Sequence, residues 1–214
     1  MNNKSTYTLK QLPYRYYELE PYVSEQALRQ HHIRHLGSYV RDLKLLLSKH
    51  GAFGAKTLYE LYCSSHLFKN DEVGQKIRYT SGAVYAHNLY FSLLCPSYND
   101  SFRVPRSELG DAIRDRFGSF ERFSVLFRDT ALSIEGSGWT WLCKNESGVP
   151  TIIKTQAQEL PDIDRFSPVL VLDMWEHAYY LDYLAEKREY VHNYFRLINW
   201  ELAQLFWCGK INYR

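Results

Sequence analysis

The segment Asp173-Met174-Trp175-Glu176-His177-Ala178-Tyr179-Tyr180 constrains this chain more than any other. It sets a carboxylate and an imidazole four residues apart directly after the apolar run Val169-Leu170-Val171-Leu172. That run reads as a buried strand, so the fold must present two metal-type ligands at a strand end. Metals such as manganese and iron take imidazole nitrogen together with carboxylate oxygen, and two such donors close on one ion when other elements supply more. Two further donors stand upstream, His31 and His87, which makes a set of three His and one Asp.

The rest of the chain divides around this segment. After a Pro-punctuated arm from Leu12-Pro13-Tyr14 to Pro21, Ser24 caps a long helix running to about His50, with Gly51 as its stop. Leu28, His31, His35, Tyr39, Leu43 and Leu47 recur at spacings of three and four and share its inner face. His32 points about 100° away from His31 and faces elsewhere. Helices over Ala55 to Phe68 and Asp71 to Leu94 complete an N-terminal helical half. The turn-rich stretch Cys95 to Ser101 places a division near residue 100, giving domains 1–100 and 101–214.

Beyond that division, Ser107 to Phe117 and Ser119 to Leu132 read as helices. Trp139 to Lys144, Thr151 to Thr155 and Val169 to Asp173 read as strands, with Gly148 at a hairpin turn between the first two. A last long helix spans about Tyr190 to Trp207. The expected class is α+β, a helical hairpin domain followed by an α/β domain with a three-stranded antiparallel sheet.

Taken singly, a histidine on the inner face of a helix is more often a hydrogen-bonded core residue than a ligand. The combination is what points to a metal. His31 and His87 come from two helices of one half, Asp173 and His177 from the other, so an ion would lie between domains, where ligand sites are common. Tyr179 and Tyr180 also suit plain strand or helix packing, and Trp139 and Trp141 suit a half-buried strand.

Composition removes other classes. The formal net charge is +2 and the cations are scattered among acids, which argues against nucleic acid. No opening apolar stretch and no 18-residue apolar run is present, so neither a secretory signal nor a membrane span is expected. Cys63, Cys95, Cys143 and Cys208 lack CxxC spacing and fit free thiols in a reducing compartment, which makes the cytoplasm the expected location. The 34 aromatic residues (18 Tyr, 11 Phe, 5 Trp) fit an aromatic-lined interior or interface without choosing between them.

The order and context of these motifs resemble the iron/manganese superoxide dismutases over nearly the whole chain. The resemblance rests on Leu12-Pro13-Tyr14, His31-His32-x-x-His35 with Tyr39, His87 before an aromatic pair, Gly136-Ser137-Gly138-Trp139-Thr140-Trp141, and Asp173-x-Trp175-Glu176-His177-Ala178-Tyr179-Tyr180. It implies superoxide as substrate and one manganese or iron ion per subunit, held by His31, His87, Asp173 and His177. It implies His35 and Tyr39 at the mouth of the substrate channel, and Gln158 as the amide that hydrogen-bonds solvent at the metal. Iron-type members supply that amide from the position occupied here by Ala83, so the manganese pattern fits better. Trp139 and Trp175 match walls of the site. Glu176 and Tyr180 match residues that cross a homodimer interface, with tetramers as a further possibility of the family. Leu36, Ala86, Phe91, Glu135 and the stretch Leu184 to Glu189 depart from the pattern, the last implying weaker attraction of the anion near the entrance, for which Lys187 and Arg188 substitute in part.

Two rivals share these donors. One is a dismutase-like subunit that has lost activity and serves an assembly. The other is a metal-dependent hydrolase or oxygenase, against which a third histidine and the lack of room for a cosubstrate both argue.

Overall fold

The computed structural model describes residues 7–52, 55, 57–67, 71–97 and 104–211. Ser24 caps the first helix as its sequence predicts, its hydroxyl accepting from Ala27 N. The helix runs as α1 (Glu25–Arg29), a π-helical stretch (Gln30–Leu36) and α2 (Gly37–His50), ending at Gly51 with φ 76°. The wider turn falls on the histidine cluster, a place where such segments often mark function. The second helix is shorter than expected: α3 (Leu58–Cys63), with Thr57 and Glu60 forming a reciprocal cap, then a 3-10 turn (Ser64–Leu67). Helix α4 (Asp71–Ser92) packs against α2 and α3 and is buried without interruption from Thr80 to Phe91. A helix enclosed on every side belongs to the centre of a fold.

Gly82 allows that enclosure. A Cβ there would fall inside hard contact with the Gln158 carbonyl and lie 3.3 Å from the Tyr62 ring. Gly82→Ala gains up to about 1 kcal/mol of helix propensity but meets a fixed backbone, where overpacking costs about 1–3 kcal/mol. The expected result is a net loss, seen as a melting temperature lower by roughly 2–8 °C; an unchanged or raised value would mean that the approach is looser than described.

The second half contains α5 (Ser107–Phe117), α6 (Phe120–Leu132) and an antiparallel sheet of β1 (Gly138–Asn145), β2 (Pro150–Gln156) and β3 (Phe166–Asp173) in the order β2-β1-β3. Gly148, at φ 76°, closes the β1–β2 hairpin as expected. Trp139 pairs with Thr155 on one side and Asp173 on the other, so the central strand sets the two edges in register. Trp139 and Trp141 are both fully buried rather than half-buried, because helices cover the sheet: α6 packs on β1 and β2, and α4 and α9 reach β3.

A separate helix, α7 (Glu176–Tyr183), follows β3 directly, so of the two packings open to Tyr179 and Tyr180 the helical one holds. The sequence reading is corrected at the last helix. The last helix is two, α8 (Lys187–Leu197) and α9 (Trp200–Trp207). Ile198 extends to form a β-bridge with Leu94, flanked by Cys95 N to Leu197 O at 2.8 Å and Asn199 N to Leu93 O at 2.8 Å. Asn199 then restarts the helix by accepting from Leu202 N. The expected division near residue 100 lies in 98–103, outside the described residues. Among the described residues no helix is long and apolar enough to cross a membrane.

Candidate metal centre

Four elements converge at the end of β3. The π-helical stretch carries His31, α4 carries His87, β3 ends on Asp173 and the first turn of α7 carries His177. One donor atom from each can be chosen so that all four lie within 4.8 Å of one another. Asp173 is wholly buried and its two oxygens are divided. Oδ1 accepts from Trp175 N at 2.8 Å, a local turn that also starts α7. Oδ2 is thereby aimed inward, 3.1 Å from His31 Nε2, 3.3 Å from His177 Nε2 and 3.7 Å from His87 Nε2.

The ring nitrogens are prepared for a cation rather than for each other. His87 Nδ1 lies 2.7 Å from Ala83 O, a carbonyl that only accepts, so Nδ1 carries the proton and Nε2 presents a lone pair. That lone pair faces His177 Nε2 at 3.2 Å. His31 Nε2 is buried and makes no hydrogen bond, despite its 3.1 Å approach to the carboxylate. A buried polar atom without a partner costs free energy, and a metal ion at this point would satisfy all four donors at once. The residues present therefore fit manganese or iron, in both number and ligand type.

Aromatic rings wall the group. The His177 ring is stacked between His35 (centroids 4.3 Å) and Trp175 (5.6 Å). Trp139 meets His87 edge-on at 4.9 Å, and Phe91 meets His31 edge-on at 4.8 Å. Gln158 is buried; its Oε1 accepts from Trp139 Nε1 at 3.1 Å and its Nε2 donates to Tyr39 OH at 3.4 Å. Burial pushes the Tyr39 phenol above its ordinary value, so it stays protonated. His32 faces away, as expected, yet it is buried, held by Tyr16 OH and Lys10 O. Glu176 and Tyr180 stand apart from the cluster, exposed on α7.

Sequence reasoning missed Tyr190. Its hydroxyl donates to the Asp173 carbonyl at 2.9 Å and meets Tyr90 OH at 3.2 Å, fixing the strand end from behind. The only local signal was its place in an amphipathic helix.

Two family models match the chain: iron/manganese superoxide dismutases, alpha-hairpin domain, over residues 6–95, and the C-terminal domain of the same enzymes over residues 105–205. The chain belongs to the iron/manganese superoxide dismutase family. It is 37% identical to the mitochondrial manganese superoxide dismutase of Neurospora crassa over 209 residues, 95% of this chain and 82% of that protein. It is 35% identical to the iron superoxide dismutase of Salmonella typhimurium over 200 residues, 92% of this chain and 96% of that one. This family of oxidoreductases thus contains relatives of both metal types at nearly equal distance.

Stripped of metal, this dismutase-family chain is expected to lose stability as pH falls from about 6.5 towards 4. Burial holds His31 down to about 4 from an ordinary 6.5, and His87 well below it. Between those values the unfolded chain binds more protons than the folded one, so stability declines with pH. His31 alone accounts for about 3 kcal/mol of this. Asp173 acts in the same direction at still lower pH: burial raises its carboxyl, but contact with His177 and His31 outweighs that and holds it below the usual range. A melting temperature unchanged between neutral pH and pH 4 would contradict this assignment of buried neutral imidazoles.

Proposed function

We propose that the chain is an active superoxide dismutase of the manganese type, converting two superoxide anions and two protons to hydrogen peroxide and dioxygen. The observation that carries this reading is the set of His31, His87, Asp173 and His177 drawn from both halves, the first three buried and the His31 Nε2 left without a hydrogen bond. These four would hold one ion through Nε2 of each histidine and Oδ2 of Asp173. An ion held there would supply one-electron redox chemistry, which zinc cannot do.

The residues around it govern protons and access. Gln158 presents an amide whose Oε1 is held by Trp139 and whose Nε2 reaches Tyr39, so it joins the site to the channel side. Tyr39, protonated and half-buried, donates and recovers a proton at its hydroxyl, while His35 stacks on His177. Trp139 and Trp175 narrow the space beside His87 and His177, favouring a small diatomic anion over larger reductants. Manganese is preferred over iron because the amide comes from Gln158 while Ala83, one turn before His87, has none to offer.

The same reading includes a homodimer built on α7, a division of the chain near residue 100, and a cytoplasmic location consistent with four free cysteines. Glu176 and Tyr180 are exposed on α7, next to Leu181 and Leu184 at 53% and 63% exposure, which supports α7 as the dimer surface. Glu176→Ala is expected to move the sedimentation profile from dimer towards monomer at low micromolar concentration; an unmoved profile would remove Glu176 from the interface.

Superoxide decay followed by stopped flow, on protein loaded separately with manganese and with iron and normalised to bound metal, tests the whole. Fast decay with manganese alone is the expected result. Equal decay with both would overturn the metal preference, and no decay at full metal occupancy would favour the rival reading of an interaction subunit on the same fold.

A further inference from the structure

Gln158 belongs to the C-terminal half, yet the backbone that carries it is fastened to the N-terminal half at three successive residues. The Gln158 carbonyl rests against the bare Cα of Gly82 on α4. The Glu159 carboxylate accepts from Tyr62 OH on α3 and from Arg78 on α4, through both Nη2 and Nε, the latter at 3.2 Å. Leu160 N donates to Tyr62 OH at 3.2 Å. Arg78 also donates to that hydroxyl and lies 3.8 Å over the Tyr62 ring.

These contacts are not equal. The side chains of Arg78 and Glu159 are 39% and 50% exposed, so solvent screens their attraction and the ion pair alone fixes little. Tyr62 is 4% exposed, and its hydroxyl is bonded both to the Glu159 side chain and to the main chain of the segment. Burial, reinforced by the hydrogen bond to Glu159, keeps this phenol above its ordinary value and therefore protonated. On the far side of the segment the margin is small. The Gln158 Nε2 to Tyr39 OH bond is already 3.4 Å, near the length at which a hydrogen bond is lost, so a shift of a few tenths of an ångström in 158–160 would uncouple the two.

We propose that Tyr62 is a positioning residue for the site, holding the segment 158–160 so that the Gln158 amide bridges Trp139 and Tyr39, with Arg78 and Glu159 completing the clamp. The inference rests on the reading of Gln158 given under Proposed function. It makes a residue of the first half, with no contact to the ligands, part of what tunes the centre.

The test is a double-mutant cycle on manganese-loaded protein: wild type, Tyr62→Phe, Gln158→Ala and the pair, each measured for turnover per bound ion and for midpoint potential. Tyr62→Phe is expected to lower turnover roughly threefold to tenfold and to shift the potential in the same direction as Gln158→Ala, with both effects absent in the Gln158→Ala background. A merely structural hydroxyl would lower the melting temperature, leave the potential in place and act alike in both backgrounds, which would overturn the proposal. If Gln158→Ala itself leaves both readouts at wild-type values, the reading of Gln158 fails and the inference with it. If Gln158→Ala is impaired and Tyr62→Phe is not, positioning alone is refuted. Should Tyr62→Phe not fold, Glu159→Gln enters the same cycle, with the same outcomes deciding.

Discussion

Asp173→Asn is expected to yield protein without bound metal and with dismutase activity lowered by more than about 100-fold, beyond the 10–100-fold typical of partners outside the ligand set. The substitution keeps the size of the side chain, and the asparagine carbonyl can still accept from Trp175 N, so the turn that starts α7 survives. What disappears is the one negative charge among three imidazole nitrogens within 3.1 to 3.7 Å. A divalent or trivalent cation would then be held by neutral donors alone. Metal analysis of the purified protein and superoxide decay check the result together. Stoichiometric metal with turnover near wild type would show that Asp173 is not a ligand.

Gln158→Ala separates holding the ion from tuning it. Metal content should stay close to wild type while turnover per bound ion drops by about 10- to 100-fold, because the amide touches the site without supplying a donor from the ligand group. Removing the side chain also leaves the buried Trp139 Nε1 without its partner and Tyr39 without its link inward. The unpaired indole costs about 1–3 kcal/mol, so a modest fall in melting temperature accompanies the kinetic effect. Lost metal with normal turnover per remaining ion would reverse the assignment.

The candidate ligand set was legible in the sequence because each proposed donor sits in a recognisable local context: a strand-like apolar run before Asp173, helical periodicity around His31, an aromatic pair after His87. The elements that escaped were those whose limits are set from a distance. Nothing in the periodicity of Tyr190, Val191, Tyr194, Phe195 and Ile198 stops a helix; the break comes from Leu94 pairing with Ile198, although Asn199 was a visible cap. Helix α7 was obscured because an apolar and aromatic stretch after a strand does not by itself distinguish more strand from helix. The π-helical turn has no composition of its own. Tyr62 and Glu159 are 97 residues apart, and no local pattern announces a contact that only the packing of two halves creates.

The bridge between Leu94 and Ile198 bears on how freely such a chain can diverge. Its bonds, Cys95 N to Leu197 O and Asn199 N to Leu93 O, join main-chain atoms only. Side chains at these positions can change without cutting the seam, provided they tolerate an extended backbone. The seam lies just past the end of α4, the helix that carries His87, and so helps fix where that helix sits against the half that carries Asp173 and His177. Substitutions such as those at Leu36, Ala86 and Phe91 can then accumulate close to the candidate ligands while the distance between the elements that bear them is kept by main-chain groups that every amino acid but proline supplies.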